Sequence, residues 1–149
     1  MTPVIALAGN PNVGKSTVFN ALTGLHQHTG NWSGKTVGIA EGRFRQGKKE
    51  VRLVDLPGAY SLTADSAEEE VARDFLCFGH PDAAVVVCDA CCLERNLIFA
   101  IQVAQIIPKT LLCVNMMDEA RHRGIKIDLK ALSAETGIPA IGISAARYE

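Results

Sequence analysis

The stretch GNPNVGKS, from Gly9 to Ser16, is the feature that most constrains the fold of this chain. It matches the phosphate-binding pattern G-x-x-x-x-G-K-[ST] at every position. An apolar run at residues 3–8 precedes it and predicts a strand, and residues 16–23 predict a helix directly after it. Backbone amides at the start of such a helix can cradle a phosphate. We therefore expect Lys15 to contact the β- and γ-phosphates of a nucleotide, and the Ser16 hydroxyl to bind Mg²⁺.

The composition is typical of one globular domain. The chain has 149 residues, of which 48% are hydrophobic and 21% charged. Fifteen basic and sixteen acidic side chains give a net charge of −1 without a basic run, so we expect no nucleic-acid partner. No apolar run reaches the ~20 residues of a membrane helix, and the N-terminus does not resemble a secretory signal. These features favour a domain that works in the cytosol.

Short apolar runs that alternate with amphipathic ones predict an α/β fold, with a mostly parallel six-stranded sheet and helices on both faces. The predicted strands are residues 3–8, 36–44, 50–55, 83–89, 110–115 and 139–144, with a polar, glycine-rich loop before residue 35. The second and third strands flank the turn RQGKK, so we expect an antiparallel edge strand on an otherwise parallel sheet. Further helices are predicted at about 66–76, 93–107, 118–123 and 128–136. Ser66 and Glu69 have the spacing of a capping box at the start of the first of these.

An aspartate ends the predicted strand in VRLVDLPG. Asp55 is placed to support the Mg²⁺ that Ser16 would bind. Gly58, three residues later, could offer its amide to a γ-phosphate, because a glycine lets the backbone approach an anion closely. An aspartate in a Pro-Gly turn is common by itself, but its pairing with a phosphate loop favours the magnesium role.

The segment VNMMD follows another apolar strand and predicts which base is bound. Ligands bind at the carboxyl edge of such sheets, and Asn115 and Asp118 match the N-x-x-D element that reads guanine. Asp118 can accept hydrogen bonds from the ring N1–H and the exocyclic amine of guanine, whereas adenine has no donor at N1. Ala145, in the turn SAA at residues 144–146, could present its amide to the guanine O6. We therefore expect GTP or GDP as the ligand.

These elements, in this order, resemble the Ras-like P-loop GTPases over nearly the whole chain. Six segments together resemble the cytosolic GTPase domain of ferrous iron transport protein B: GNPNVGKSTVFNALTG, GNWSGKTVG, DLPGAYSL, VARDFL, DACCLERNL and NMMDEA. The resemblance implies that residues 1–149 form a GTP-binding and GTP-hydrolysing switch, on the cytoplasmic face of the inner membrane, in a ferrous iron transporter. It implies that the helical and membrane domains of the family, and the last helix of the Ras-like fold, lie outside this sequence. We then expect a thinly covered sheet face that favours self-association.

The resemblance also implies a set of residues that bind the nucleotide. Within this set, it implies catalytic roles for Asn12, Lys15, Thr36 and Gly58. It also implies that Ser16, Thr36 and Asp55 bind magnesium. The set comprises Gly9, Asn10, Pro11, Asn12, Val13, Gly14, Lys15, Ser16, Thr17, Thr36, Asp55, Gly58, Asn115, Met116, Asp118, Ser144, Ala145 and Ala146.

A second stretch, TGNWSGKT, ends like a phosphate loop but begins with Thr29 and leads into a strand. In related GTPases this position is the first switch, whose threonine closes over Mg²⁺ and the γ-phosphate. Thr36 fits that role, and Lys35 is expected to have no contact with phosphate. Such a segment orders and disorders with the γ-phosphate.

Two positions bear on the rate of hydrolysis. Ala59 stands where Ras-type proteins carry the glutamine that orients the attacking water, so hydrolysis is expected to be slow or to use another device. In the resembling family, an asparagine of the phosphate loop helps to bind K⁺, and Asn12 occupies that position. We therefore hypothesise that K⁺ accelerates hydrolysis through Asn12. Glu68 and Glu69 could orient water, but a role at the helix start is favoured.

Some alternatives remain open at this point. The cysteines of CDACC, at positions 88, 91 and 92, are interpreted as structural rather than as metal ligands, and His26 and His28 as solvent-facing. The alternative function is a ribosome-assembly or RNA-modification GTPase, which shares PNVGKST but usually carries an added basic RNA-binding domain. An ATP-dependent kinase is disfavoured by NMMD.

Overall fold

The computed structural model describes residues 2–24, 27–31, 38–63 and 65–145, with residues 27–31 described by their backbone alone. One seven-stranded sheet runs through these residues in the order β2-β3-β4-β1-β5-β6-β7. β1 pairs in parallel with β4 and β5, and β5, β6 and β7 continue in parallel, whereas β3 is antiparallel to both β2 and β4. The predicted α/β class with a mostly parallel sheet is confirmed.

The elements lie close to the predicted ones. The strands are β1 (Val4–Gly9), β2 (Gln27–Asn31), β3 (Gly38–Gln46), β4 (Lys49–Asp55), β5 (Ala83–Asp89), β6 (Thr110–Asn115) and β7 (Ala140–Gly142). The helices are α1 (Lys15–Thr23), α2 (Ala67–Phe78), α3 (Leu93–Ile106), α4 (Met117–His122) and α5 (Leu129–Thr136), with a 3₁₀ turn at Ala90–Cys92 before α3. Gly24 and Gly137 end α1 and α5 in the left-handed conformation, as glycine at a helix C-terminus usually does.

One expectation needs correction: the sheet has seven strands rather than six. The additional strand β2 lies in the segment predicted as a polar, glycine-rich loop, and it pairs with β3 from Gln27 opposite Gly42 to Asn31 opposite Gly38. β3 is therefore an inner strand rather than the edge. The segment QHTGN has no alternating apolar residues, so its strand depends on the edge of β3 and not on a hydrophobic pattern of its own.

Helices cover both faces of the sheet, as predicted. On one face α2 and α3 pack Val71, Phe75 and Phe99 against the alanines of β1 and against neighbouring strands. On the other face α1 packs Val18 and Phe19 against inward-facing side chains of β1, β4 and β5. Beyond α1 this second face is less covered, because Val85 and Leu111 are only half-buried. Self-association through it stays a prediction. No helix in the described ranges has the length and apolar character needed to cross a membrane.

Two cysteines of the chain lie in the core. Cys88 packs with the α2–α3 side of the sheet and Cys113 with the α1 side. Burial raises the pKa of the Cys88 thiol to about 12 and that of Cys113 to about 11. Across the described residues, no three histidine, cysteine, aspartate or glutamate side chains are grouped as they would be around a metal ion. The placement of Cys88 and Cys113 favours a structural role for both.

These positions predict a pattern of thiol labelling. Because the thiolate is the reactive form, iodoacetamide at pH 7.5 should modify the exposed Cys77 of the folded chain and leave Cys88 and Cys113 unmodified. Peptide mapping by mass spectrometry measures this, with denatured protein as the control in which all three react. Labelling of Cys88 in the folded chain as fast as Cys77 would contradict the packing described above.

Candidate functional site

The phosphate loop joins the end of β1 to the start of α1. Gly14 precedes α1 with φ of 82° and gives the helix no side-chain cap, so the amides of the first turn have no side-chain partner there. A Cβ on Gly14 would also collide with the Asn115 side-chain amide. Asn12 adopts φ of 67°, a left-handed conformation that asparagine tolerates better than most residues. The loop therefore places uncapped amides where an anion can reach them.

A cavity of about 490 Å³ lies over this loop and is lined by Asn10, Pro11, Asn12, Gly14, Lys15, Ser16, Gly58 and Glu68. Six of these eight residues belong to the predicted phosphate loop. Gly58 comes from the turn after β4, so the structure brings the two motifs together as the sequence predicts. A volume of this size can hold the phosphate groups of a nucleotide.

Lys15 forms an ion pair with Asp55 across the floor of the site. Both side chains are mostly buried, with 11% and 14% of their surfaces exposed. Burial raises the pKa of the Asp55 carboxyl above its usual range, and the positive charge of Lys15 opposes that shift. Each group thus neutralises the other in this arrangement.

The turn that follows β4 lies directly on the phosphate loop. The Ala59 amide donates to the Gly9 carbonyl at 3.0 Å, and the Leu56 amide donates to the Leu7 carbonyl at 3.0 Å. A Cβ on Gly58 would lie 3.1 Å from the backbone of Pro11, which is tighter than an ordinary contact. A side chain at this position would push the two segments apart by a few tenths of an ångström, so glycine favours their close approach.

The Asn115 side chain forms hydrogen bonds with two parts of the site, the phosphate loop and the turn after β7. Its side chain is buried, donates through Nδ2 to the Val13 carbonyl at 3.0 Å, and accepts through Oδ1 from the Ala145 amide at 2.9 Å. One amide group therefore joins the phosphate loop to the turn after β7. Sequence reasoning assigned Asn115 to base recognition, and the structure places its side chain between the phosphate loop and the turn after β7.

The other predicted base-binding residues lie beside Asn115. Met116 directly precedes α4 and adopts the left-handed conformation, with φ of 65°. The Asp118 amide donates a hydrogen bond to the Ser144 hydroxyl at 3.1 Å, and the Met117 amide donates to the Ile143 carbonyl. The loops after β6 and β7 are thus fixed to each other at the carboxyl edge of the sheet.

Glu69 proves to be an anchor for the loop between β4 and α2. Its carboxylate accepts from the amides of Tyr60 and Ser61 at 3.0 Å and from that of Asp65 at 3.1 Å, and the Ser66 hydroxyl caps α2 by accepting from the Glu69 amide. The helix-start role predicted for Glu69 therefore holds, but its carboxylate also reaches well beyond the capping box. The Glu69 carboxylate is therefore bonded to the backbone of this loop, whereas Glu68 is exposed and lines the phosphate cavity.

Two features of the site had not been predicted. Gln102 of α3 accepts from the Leu62 amide at 2.7 Å, so the same loop is also fastened to α3. Asn10 is 3% exposed, and its Oδ1 is buried without a hydrogen-bond partner among the described residues. A buried acceptor left unpaired costs about 1–3 kcal/mol. Neither feature has a local sequence signal, because both depend on which segments meet in the fold.

Some predicted residues lie outside the described residues. These are Thr36 of the first switch, Ala146 of the base loop, and Lys35 and His26. Thr17 lies in the first turn of α1, next to Ser16. All the other predicted site residues lie at the carboxyl edge of the parallel strands, around the phosphate loop or around Asn115.

The family profile of ferrous iron transport protein B matches residues 3–149. This chain belongs to that family. The Fe(2+) transporter FeoB of Escherichia coli strain K12 is 43% identical over 147 residues, which are 96% of this chain but 19% of that protein. The chain thus spans less than a fifth of the length of this relative.

Solved FeoB structures share the fold closely. The G domain of the Thermotoga maritima FeoB iron transporter matches with a TM-score of 0.90 and 39% identity, covering 98% of this chain and 89% of that one. The cytosolic domain of the same FeoB, in its GMPPNP form, matches with a TM-score of 0.93 and 40% identity, covering 98% and 58% of the two chains. Its GDP form II also gives a TM-score of 0.93. The GTPase fold predicted from the motifs is therefore confirmed.

The two hydrogen bonds of the Asn115 side chain predict a measurable loss of stability when that side chain is truncated. Asn115→Ala would leave the Val13 carbonyl and the Ala145 amide buried without their partner, so we expect the unfolding free energy of this FeoB-family chain to fall by about 2–4 kcal/mol. Urea denaturation without nucleotide measures it. Asn20→Ala on α1 is the control and should change stability by less than about 0.5 kcal/mol. An Asn115→Ala variant as stable as this control would contradict the tie.

Proposed function

We propose that this chain binds GTP and GDP with Mg²⁺ and hydrolyses GTP, as the guanine-nucleotide domain of a ferrous iron transporter. The observation that carries the proposal is the convergence of the phosphate loop, the turn after β4 and the two base loops at one sheet edge, with Asn115 bonded to both halves. Membership of the FeoB family favours this function over the ribosome-assembly alternative. Forms of a relative named for GDP and for GMPPNP support guanine nucleotide as the ligand.

The phosphates would lie in the cavity over α1. Uncapped amides of the first turn supply donors for phosphate oxygens, and Lys15 supplies a positive charge once it leaves Asp55. Gly58 lies against Pro11 and lines the same cavity, and its amide is proposed to donate to the γ-phosphate. Phosphate binding would therefore replace the ion pair between Lys15 and Asp55 by an ion pair between Lys15 and the phosphate. Lys15 would thus keep an opposite charge beside it.

The residues present fit a magnesium ion. Ser16 lines the cavity, Asp55 ends β4 beside it, and both offer the oxygen atoms that Mg²⁺ prefers. Thr36 is proposed as the third protein ligand. When bound, the ion would neutralise charge on the β- and γ-phosphates. Release of Asp55 from Lys15 would supply the carboxylate for it, so nucleotide and ion should assist each other's binding.

The base would lie between the loops after β6 and β7. Asp118 is proposed to accept from the N1–H and amine of guanine, and Ala145 to donate to O6. Met116 and Ser144 would border the ring, and the Asp118 amide bond to Ser144 keeps the two loops together. The pocket would then favour guanine because adenine offers no proton at N1.

Hydrolysis transfers the γ-phosphoryl group to water. Ala59 offers no side chain to orient that water, and the Glu69 carboxylate is bound to backbone amides. Catalysis is therefore proposed to be slow and to rest on the positive charge of Lys15, the Gly58 amide as a hydrogen-bond donor, and the magnesium ion that Thr36 would help to hold. Asn12 is exposed and lines the cavity, which supports its proposed part in holding K⁺ near the phosphates.

The biological setting is also part of the proposal. Residues 1–149 would be the G domain of a longer protein, working at the cytoplasmic face of the cell membrane beside helical and membrane domains. The names of the relatives support ferrous iron as the transported ion. Self-association and the absence of a nucleic-acid partner are further predictions of the sequence.

Base recognition is tested by Asp118→Asn. Loss of the carboxylate should weaken GDP binding by about 100-fold, which corresponds to about 2.7 kcal/mol, and should favour xanthosine diphosphate, whose ring offers the complementary groups. Isothermal titration with both nucleotides measures the exchange. The neighbouring Glu119→Gln removes the same charge at an exposed position and should leave both affinities unchanged. Unchanged GDP binding by Asp118→Asn would rule out the guanine assignment.

Potassium activation is tested by comparing hydrolysis in K⁺ and in Na⁺. The wild-type chain should turn over GTP at least about tenfold faster in K⁺, since a fixed positive charge near the phosphates stabilises the transition state. Asn12→Ala should abolish that difference, and Asn20→Ala on α1 should retain it. Phosphate release at equal ionic strength is the measurement. Equal turnover in the two salts, or no loss with Asn12→Ala, would exclude a potassium site at Asn12.

A further inference from the structure

Asn10 lies at the junction of the phosphate loop and the turn after β4. Its two chain neighbours both contact that turn: the Gly9 carbonyl accepts from the Ala59 amide at 3.0 Å, and Pro11 lies against Gly58. Asn10 follows β1 directly and is 3% exposed. Its Oδ1 is nevertheless the one buried side-chain oxygen or nitrogen, among residues that the structure describes, that lacks a partner.

The missing partner must be a donor, and a nucleotide phosphate cannot supply it. Phosphate oxygens accept hydrogen bonds, as Asn10 Oδ1 does. The Ala59 side chain has no polar atom. Backbone amides of the adjoining turn, which both chain neighbours of Asn10 contact, are the candidate donors.

Few amides of this turn are available. Pro57 has no N–H, and the Leu56 amide is bonded to the Leu7 carbonyl. The Gly58 amide is assigned to the γ-phosphate in the proposed function. The Ala59 amide could move only by leaving the Gly9 carbonyl. Tyr60 remains as the next donor along the chain.

The Tyr60 amide can change partners at low cost. It donates to Glu69 Oε2 at 3.0 Å, and the same carboxylate also accepts from Ser61 and Asp65. If Tyr60 leaves, Glu69 keeps two amide donors and stays paired. The exchange would then add a bond for Asn10 without leaving another buried acceptor unbonded.

We propose that Asn10 is a residue that distinguishes GTP from GDP: when the γ-phosphate takes the Gly58 amide, the turn shifts and the Tyr60 amide moves from Glu69 to Asn10 Oδ1. The structure described here is the arrangement without that bond. This bond stabilises the state with γ-phosphate and is absent from the state with GDP. This inference rests on the proposed GTP binding and deepens it.

The test compares the affinities of the chain for GDP and for a non-hydrolysable GTP analogue. Asn10→Ala, and Asn10→Leu with a similar volume, should weaken binding of the analogue by about tenfold more than they weaken binding of GDP, which is the size of one lost hydrogen bond. The thermal midpoint without nucleotide should stay equal or rise, because an unpaired acceptor has been removed. Asn20→Ala on α1 is the matched asparagine control and should alter none of these values.

Hydrogen exchange supplies a second readout. With the analogue bound, the Tyr60 amide should exchange more slowly in the wild type than in either Asn10 variant. The inference would be overturned if the variants weakened both nucleotides equally and left their affinity ratio unchanged, because Asn10 would then act equally in all states. A lower midpoint or failed folding of both variants would also overturn it, because Asn10 would then already have a partner. Failure of the wild type to bind either nucleotide would instead overturn the proposed function.

Discussion

The site depends above all on the two hydrogen bonds of the Asn115 side chain. With Val13 on one side and Ala145 on the other, this amide holds the phosphate loop at a fixed distance from the loops that would contact the base. It also explains Gly14, because a side chain there would occupy the place of the Asn115 amide. A nucleotide must span the phosphate loop and the base loops, so their spacing decides which ligand fits. Burial makes the tie rigid, since its partners have no water to replace it.

The described arrangement keeps the polar groups of the site paired with one another. Lys15 is bound to Asp55, the turn amide of Ala59 to Gly9, and Tyr60 to Glu69. A ligand would therefore act by exchanging partners: phosphate for Asp55 at Lys15, and a cation for Lys15 at Asp55. Such exchanges cost little because no charge is left buried alone at any stage. They also give the domain a physical means of having more than one stable arrangement, which a switch requires.

Much of this could be predicted from the sequence, because the deciding signals are local. The phosphate loop fixes a strand and a helix on either side of it, and α2 begins after its capping serine, Ser66, as predicted. β2 was not predicted, since its pairing comes from β3 and not from its own residues. The three amide bonds of Glu69 and the bond from Leu62 to Gln102 depend on segments far apart in the chain. Sequence patterns specify elements and motifs, whereas the partners of individual buried polar groups follow from packing.

We infer that the phosphate loop and the base loops, held together by Asn115, bind the phosphates and the guanine base at the same time. Isothermal titration of the chain with GDP and with ADP, each with Mg²⁺, tests it most directly. The two ligands carry the same phosphates, so they differ only at the base loops around Asn115 and Asp118. We expect GDP to bind at least about 100-fold more tightly than ADP, a difference in binding free energy of about 2.7 kcal/mol. Equal affinities for the two nucleotides, or no binding of GDP, would contradict it.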